Sequence, residues 1–190
     1  LIHQSAPEGI HIPTVTIENK AASYRLVSHL IETHGRRRIA FLRGPEGNED
    51  ACWREAGYRE ALAIHGLPVD ESLITTGGFD RFVAQENLAK LIQKGVPFDA
   101  VFTGDDDAAI GALQALKLAG ISVPEQVSVA GFDDQRLASF LTPPLTTVQA
   151  PTRLVGFTAA NQLIRLINKE PVDPTVLLLT EIVVRSSCGC

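Results

Sequence analysis

Two aspartates follow β-rich runs of the sequence, at positions where an α/β protein most often binds its ligand. Asp105 is the first acidic residue after the run 100–103, and Asp133 is the first after the run 127–131. Ligands of open parallel sheets bind beyond the carboxyl ends of the strands. We therefore expect both carboxylates to face a ligand, although an aspartate at such a junction often caps the next helix instead. Their acidic neighbours are expected to cap helices or to lie in solvent: Asp106, Asp107 and Asp134.

A guanidinium and an aromatic ring are expected at the same edge of the sheet. Arg54 lies in the helical pattern after the run 38–43, and Phe79 follows the run 72–76 through two glycines. Carboxylates accept hydrogen bonds from paired hydroxyls, arginine donates two parallel hydrogen bonds, and a flat ring packs on a sugar or base. This set favours a polyhydroxylated or nucleoside-like ligand. Taken alone, Arg54 would more often form a surface ion pair.

The sequence offers no complete catalytic set. The acidic triplet 105–107 has the composition of a magnesium-binding pocket, but a phosphotransferase would also need a nucleophile and a lysine at other strand ends. Neither a Gly-x-Ser-x-Gly turn nor a phosphate-binding loop is present. We therefore expect a binding protein without a catalytic residue or a cofactor.

The cysteine pair Cys188 and Cys190 has a spacing found at metal sites, but two thiols alone do not complete a zinc site. The histidines show no ligand spacing and are expected at helix ends or on polar faces: His3, His11, His29, His34 and His65. Free thiols and no bound metal are therefore expected.

Composition narrows the class of protein further. The 190 residues suggest one domain or two small ones, and 17 basic residues against 22 acidic ones give a net charge of −5. Such a chain has no broad basic face for nucleic acid or membrane lipid. No apolar run approaches the length of a membrane helix. Three cysteines are too few for a disulfide framework, and free thiols fit a cytoplasmic protein.

Short apolar runs alternate with helical patterns along the whole chain. Further strands are predicted at 13–17, 146–149 and 176–185, and helices at 21–33, 50–65, 80–94, 106–119 and 152–168. Alternation of this kind predicts an α/β fold with a doubly wound parallel sheet. Glycines after the helical patterns are expected to end them: Gly35, Gly66, Gly95 and Gly120.

These residues together resemble a known family. The chain is similar to the effector-binding sensor domain of LacI/GalR-type transcription regulators, which has the two-lobe, type I fold of periplasmic sugar-binding proteins. The motifs that carry the resemblance are Ile-Pro-Thr-Val-Thr-Ile-Glu at 12–18, Gly-Arg-Arg-Arg-Ile-Ala-Phe at 35–41, Arg-Glu-Ala-Gly-Tyr at 54–58, Val-Pro-Glu-Gln-Val-Ser-Val-Ala-Gly-Phe-Asp-Asp at 123–134 and Pro-Leu-Thr-Thr-Val at 144–148. Their order and spacing hold from residue 12 to about residue 187.

The resemblance implies which side chains bind the ligand. Asp105 stands where many members have asparagine, so the ligand should present hydrogen-bond donors there. Ala150 replaces a glutamine of the family, so a ligand contact is expected either to be lost or to move to Gln149. The implied binding residues are Glu18, Arg54, Phe79, Asp105, Asp133 and Gln149.

The resemblance also implies how the chain is divided. Residues 1–18 would be a remnant of the N-terminal lobe, 19–145 the C-terminal lobe, 146–169 a crossover back to the N-terminal lobe, and 170–190 a final strand and tail. The DNA-binding domain of the family is not in this sequence, so DNA is expected to bind only through a part outside it. A homodimer is expected, and the ending at 185–190 resembles sensors fused to a further output domain.

The sequence thus favours a non-enzymatic sensor in which a small-molecule effector closes two lobes and biases an output module. Two alternatives remain open. An exported solute-binding protein would have the same fold, and an α/β hydrolase or phosphotransferase would use the acidic triplet.

Overall fold

Strands and helices alternate along the chain, as the sequence predicts. The computed structural model describes residue 2, residue 5 and residues 12–190, so the predicted positions of His3 and His11 lie outside the described residues. The strands are β1 (Thr14–Ile17), β2 (Ile39–Arg43), β3 (Ile74–Thr76), β4 (Ala100–Thr103), β5 (Ser128–Ala130), β6 (Thr147–Gln149), β7 (Thr175–Leu178) and β8 (Glu181–Val183). The helices are α1 (Asn19–His34), α2 (Glu49–Ile64), α3 (Arg81–Gln93), α4 (Asp106–Leu118) and α5 (Thr152–Ile167).

The central sheet is parallel and has the strand order β3-β2-β4-β5. Alternate residues of β2 face opposite layers, because successive side chains of a strand point to opposite sides. Ile39 and Phe41 join the hydrophobic core formed with α1 and α2, whereas Ala40 and Leu42 join the core formed with α3 and α4. Helices cover both faces, which confirms the doubly wound α/β fold.

Local sequence signals explain where the helices begin and end. The apolar stripe of α1, which includes Leu26 and Leu30, is fully buried against the sheet. Gly35 ends this helix in the left-handed conformation with a φ of 66°, and its N–H donates to Ile31 O. Side chains cap the N-terminal ends of three other helices: Asn48 on α2, Asp80 on α3 and Asp105 on α4.

Two short strand pairs lie beside the central sheet. Strand β1 pairs in parallel with β7, and α5 packs on β1. Strand β6 pairs antiparallel with β8, and parallel bridges from Ala130 to Thr146 and from Asp133 to Gln149 connect this pair to β5 and the loop after it. The chain therefore passes repeatedly between the central sheet and the β1–β7 pair.

The predicted final strand 176–185 is wrong in one respect, since it is two strands in two different pairs. The break falls at Thr180, whose backbone bonds to side chains instead of to a neighbouring strand. Its N–H donates to Glu18 Oε2 at 3.2 Å, and its carbonyl oxygen accepts from Arg25 Nη2 at 3.2 Å. Periodicity cannot reveal such a break, because both partners come from the far end of the chain. None of the helices in the described part is long and apolar enough to span a membrane.

Helices α3 and α4 touch at Gly111. A Cβ atom at this position would lie 2.0 Å from Arg81 O, which belongs to the backbone of α3. We expect Gly111→Ala to lower the free energy of unfolding by about 1–3 kcal/mol, because the helices must move apart. Urea denaturation measures the change. Gly156→Ala on α5 is the control: nothing lies within 4 Å of the added Cβ, so alanine should stabilise by roughly 0.5–1 kcal/mol. Equal stability of Gly111→Ala and the parent protein would contradict the close helix contact.

Candidate functional site

A cavity of about 870 Å³ lies at the carboxyl ends of the central strands, next to the start of α5. Strands β2 and β4 are neighbours here although β3 follows β2 in the chain, so the cavity occupies the point where the strand order reverses. Five of the six side chains predicted to bind a ligand line it: Arg54, Phe79, Asp105, Asp133 and Gln149. The structure thus places them together; their contact with a ligand stays a prediction.

Arg54 is the buried centre of this cavity wall. Its side chain is only 5% exposed, so it is not the surface ion-pair residue of the alternative interpretation. Nε donates to Asn19 Oδ1 at 2.9 Å, Nη1 donates to Gly104 O at 2.6 Å, and Nη2 lies 3.3 Å from Asp133 Oδ1. The guanidinium therefore connects α1 with the loops that follow β4 and β5.

Aromatic rings surround the same guanidinium. Its central carbon lies 3.8 Å from the ring centroid of Phe132 and 5.5 Å from that of Phe79. Cation–π contacts of this kind are stronger where water is excluded. The Phe79 ring also lies over Gly104, where an added Cβ would approach it to 2.9 Å. Close packing thus fixes the direction of Arg54.

Backbone strain is concentrated at the cavity. Among described residues other than glycine, φ is positive at Phe79, Asp133, Asp134 and Lys169. The first three line the cavity. Such conformations cost on the order of 1–3 kcal/mol each and persist where the surroundings hold them in place. Asp134 is held by Arg185 Nη2 at 2.7 Å and by Gln149 Nε2 at 3.0 Å.

The three consecutive aspartates have three different roles. Asp105 caps α4 by accepting from Ala108 N at 2.8 Å, and it also lines the cavity, so capping and ligand contact do not exclude each other. Asp106 caps nothing: it accepts from Thr147 Oγ1 at 2.6 Å and from Gln135 N at 2.7 Å. Asp107 forms an ion pair with Arg81 and accepts from its backbone N–H.

These environments shift the pKa values in opposite directions. Burial raises the pKa of Asp105 to about 6 and that of Asp106 to about 7. The nearby charge of Asp133 acts in the same direction on both groups. Hydrogen bonds from Arg81 instead lower the pKa of Asp107.

Glu18 lies elsewhere than its predicted place. It does not line the cavity of Arg54, because its carboxylate accepts from Arg25 Nη2 and from Thr180 N, both at 3.2 Å. It faces a second cavity of about 540 Å³ beside Trp53. The expectation that Glu18 lines the ligand site together with Arg54 therefore needs correction: the structure shows a carboxylate that fixes the connection between β7 and β8.

Other residues that line the cavity were not predicted from the sequence. Asp50 precedes Arg54 by one helical turn, and this spacing could have indicated that it lines the same cavity. Its Oδ1 accepts from Asn19 Nδ2 at 2.7 Å. Gln135, Arg153 and Phe157 also line the cavity. No local pattern marks them, since they come from the loop after β5 and from the first turns of α5.

Comparisons with known proteins agree with this geometry. The family described as periplasmic binding protein-like domain matches residues 27–188. The transcriptional regulator CelR of Thermobifida fusca is 35% identical over 98% of this chain and 56% of its own length. The regulator AscG of Escherichia coli is 40% identical over 73% of this chain and 41% of its own length. The chain thus spans about half the length of the curated relatives it matches.

Solved structures show the same similarity. The complex of CelR with cellobiose superposes with a TM-score of 0.91 at 35% identity, covering 98% of this chain and 58% of the other. The repressor AscG of Escherichia coli gives a TM-score of 0.87 at 32% identity, with coverages of 98% and 67%.

The contacts of Arg54 predict a structural role beside any role in binding. We expect Arg54→Ala to lower the free energy of unfolding of the ligand-free protein by about 3 kcal/mol, since hydrogen bonds involving a charged group contribute roughly 1.5–3 kcal/mol each. Arg59→Ala on the same helix is the matched control. Its half-exposed ion pairs with Glu55 and Glu71 should contribute less than about 1 kcal/mol. Urea denaturation measures the free energy of unfolding of both variants. Equal losses in the two variants would exclude a structural role of Arg54.

The raised pKa of Asp106 predicts a pH dependence of stability. Its ordinary value is about 3.9, so between about pH 4 and pH 7 the folded chain binds more protons than the unfolded chain. Stability therefore falls as the pH rises through this range. Asp106→Asn should remove part of this loss, on the order of 2 kcal/mol, because the amide still accepts from Gln135 N and donates to Thr147 Oγ1.

Urea denaturation at several pH values between 4 and 8 measures this slope. Asp107→Asn is the control with the opposite sign. The lowered pKa of Asp107 contributes stability that is present at neutral pH and lost in acid, so this variant should lose stability mainly at pH 7. An unchanged slope in Asp106→Asn would show that this carboxyl is ionised throughout.

Proposed function

The chain belongs to the periplasmic binding protein-like family found in LacI-type transcription regulators, and we propose that its cavity binds a neutral, hydroxyl-rich effector. The convergence of Arg54, Phe79, Asp105 and Asp133 on one cavity carries this proposal. Carboxylates accept from sugar hydroxyls, and the ring offers a flat apolar face. A phosphorylated ligand fits poorly, because Asp105, Asp133 and Asp134 would repel it.

A sugar of one or two rings is the proposed ligand. The cavity volume of about 870 Å³ lies in the range of small-molecule sites, roughly 300–1,000 Å³. The relative CelR was solved with cellobiose. Phe157 extends the apolar wall on the side of α5, where it is 64% exposed. It is therefore placed to cover a second sugar ring.

We propose that binding acts by closing the cavity between the central sheet and the part built from β1, α5 and β7. These two parts are connected near residues 18, 150 and 180. Glu18, Arg25 and Thr180 bind one another at two of these connections. A ligand that touches both parts binds the closed state better, and this difference in affinity supplies the energy of the switch.

The rest of the regulator is proposed from its relatives. Residues 1–18 would belong to an N-terminal lobe, and the apolar side chains exposed on α5 and β7, such as Ile167 and Leu177, would be covered by the remainder of that lobe. We also propose a cytoplasmic homodimer, which light scattering would report as twice the chain mass. DNA would bind through a further domain of the regulator. Within this chain, the basic residue Arg36 is already engaged, because its guanidinium donates to Pro124 O and Ser128 Oγ.

An enzymatic role fits the site less well. Both carboxylate oxygens of Asp106 already accept hydrogen bonds, and Asp107 is paired with Arg81. The triplet is therefore divided among separate partners and does not form a magnesium pocket. An exported solute-binding protein would share the cavity, but the relatives reported above are transcription regulators.

Calorimetric titration with cellobiose, other disaccharides, monosaccharides and nucleosides tests the proposal. We expect saturable binding of a neutral sugar, and Asp133→Asn should weaken it by about 10- to 100-fold, since a hydrogen bond to a charged group contributes roughly 1.5–3 kcal/mol. Asp70→Asn, which lies outside the cavity, is the control and should bind as the parent does. Binding unaffected by Asp133→Asn would reject this cavity as the site. Turnover of a phosphoester with magnesium would favour the enzymatic alternative.

A further inference from the structure

A second cluster of reactive side chains lies at the opposite edge of the sheet, near the amino ends of the strands. His29 and His34 of α1 face Cys188 and Cys190, and their four ligand atoms lie within 4.8 Å of one another. His29 Nε2 is 3.7 Å from Cys188 Sγ and 3.8 Å from Cys190 Sγ. His34 Nε2 is 3.3 Å from Cys190 Sγ.

These distances match a tetrahedral metal site. Zinc binds sulfur at about 2.3 Å and imidazole nitrogen at about 2.05 Å, and the tetrahedral angle then sets the two ligand atoms about 3.6 Å apart. The three nitrogen–sulfur distances above, from 3.3 to 3.8 Å, surround this value. Two thiols and two imidazoles are also the donor set of many structural zinc sites.

Neighbouring residues orient the ligand atoms. Thr33 Oγ1 lies 3.2 Å from His29 Nδ1, so the hydroxyl can accept the ring proton there and leave the Nε2 lone pair towards the thiols. Gly189 adopts a φ of +114°, and a Cβ on it would lie 3.1 Å from His34 Nδ1. The glycine between the cysteines therefore lets the turn approach the imidazole.

The backbone of this turn is fixed as well. Cys188 is fully buried, and its carbonyl oxygen accepts from Ser128 Oγ at 2.6 Å.

We propose that His29, His34, Cys188 and Cys190 form a structural zinc site that joins the segment after β8 to α1. Four protein ligands close the coordination sphere, which distinguishes a structural site from a catalytic one. Binding would release the two thiol protons to solvent. The expectation that the cysteines lack histidine partners is wrong, because the fold brings together residues 159 positions apart.

Titration of the reduced, tag-free protein with Co²⁺ tests this site. After treatment with a chelator, we expect one Co²⁺ per chain, with the visible bands of tetrahedral coordination and the near-ultraviolet charge-transfer band of thiolate ligands. Zn²⁺ should displace the bound Co²⁺ and abolish its visible bands, and elemental analysis should then give one zinc per chain. Failure to bind Co²⁺ in this stoichiometry, or octahedral bands alone, would overturn the proposal.

Variants assign the ligands. Cys190 is exposed, so Cys190→Ser should keep the fold. It should weaken metal binding by more than roughly 100-fold, because the loss of an outer-shell partner already weakens binding by up to about 100-fold. Thr33→Val should weaken it by about 10-fold through the orientation of His29. Cys52→Ser is the matched control, because this exposed cysteine lies on α2 and outside the cluster. Tetrahedral thiolate bands that persist in Cys190→Ser, or that disappear in Cys52→Ser, would refute the assignment. Circular dichroism confirms that each variant is folded.

Discussion

The cavity at the carboxyl ends of the central strands is organised around one buried positive charge. A guanidinium removed from water is costly unless its N–H groups find partners, and Arg54 finds them in Asn19, Gly104 O and Asp133. Those partners belong to α1 and to the loops after β4 and β5. The need to satisfy one side chain thereby brings three distant segments to one place. It also explains the unusual backbone of Asp133, since a positive φ of 108° there is compensated by the ion pair.

Adjacent residues of the same type acquire different functions because their surroundings differ. Asp105 and Asp106 are both buried, which raises the pKa of each, yet only Asp105 lines the cavity. Asp106 instead joins α4 to β6 through Thr147 and to the loop after β5 through Gln135 N. Asp106 thereby stabilises the cavity wall without lining the cavity. The sequence position of a carboxylate beside a cavity therefore does not show that it contacts a ligand. Its hydrogen bonds must be known first.

The sequence predicted what local patterns and fold rules determine. The alternation of strands and helices, the buried stripe of α1 and the glycine that ends it follow from neighbouring residues. The meeting of Arg54, Asp105 and Asp133 follows from the rule for parallel sheets. What the sequence could not predict depends on partners far apart in the chain. Glu18 is drawn to Thr180, which lies 162 positions away, and this pairing both removes Glu18 from the cavity and divides the last predicted strand. The histidines and cysteines at the opposite edge are a further case, because no spacing within either pair indicates the other pair.

The segment after β8 connects the two sites. Arg185 binds Asp134 in the cavity wall through Nη2 and Leu145 O through Nη1, and Cys188 follows it by three residues. Between them, Ser187 accepts from Thr146 N and donates to Val129 O, both within the buried edge of the sheet. A cation bound by the cysteines would restrict this segment and thus the position of Arg185. Movement of Asp134 on binding of the proposed effector would act on the same segment from its other end. If the two proposed sites both bias the position of this short element, the affinity of each for its ligand depends on the other, and by linkage this dependence is reciprocal.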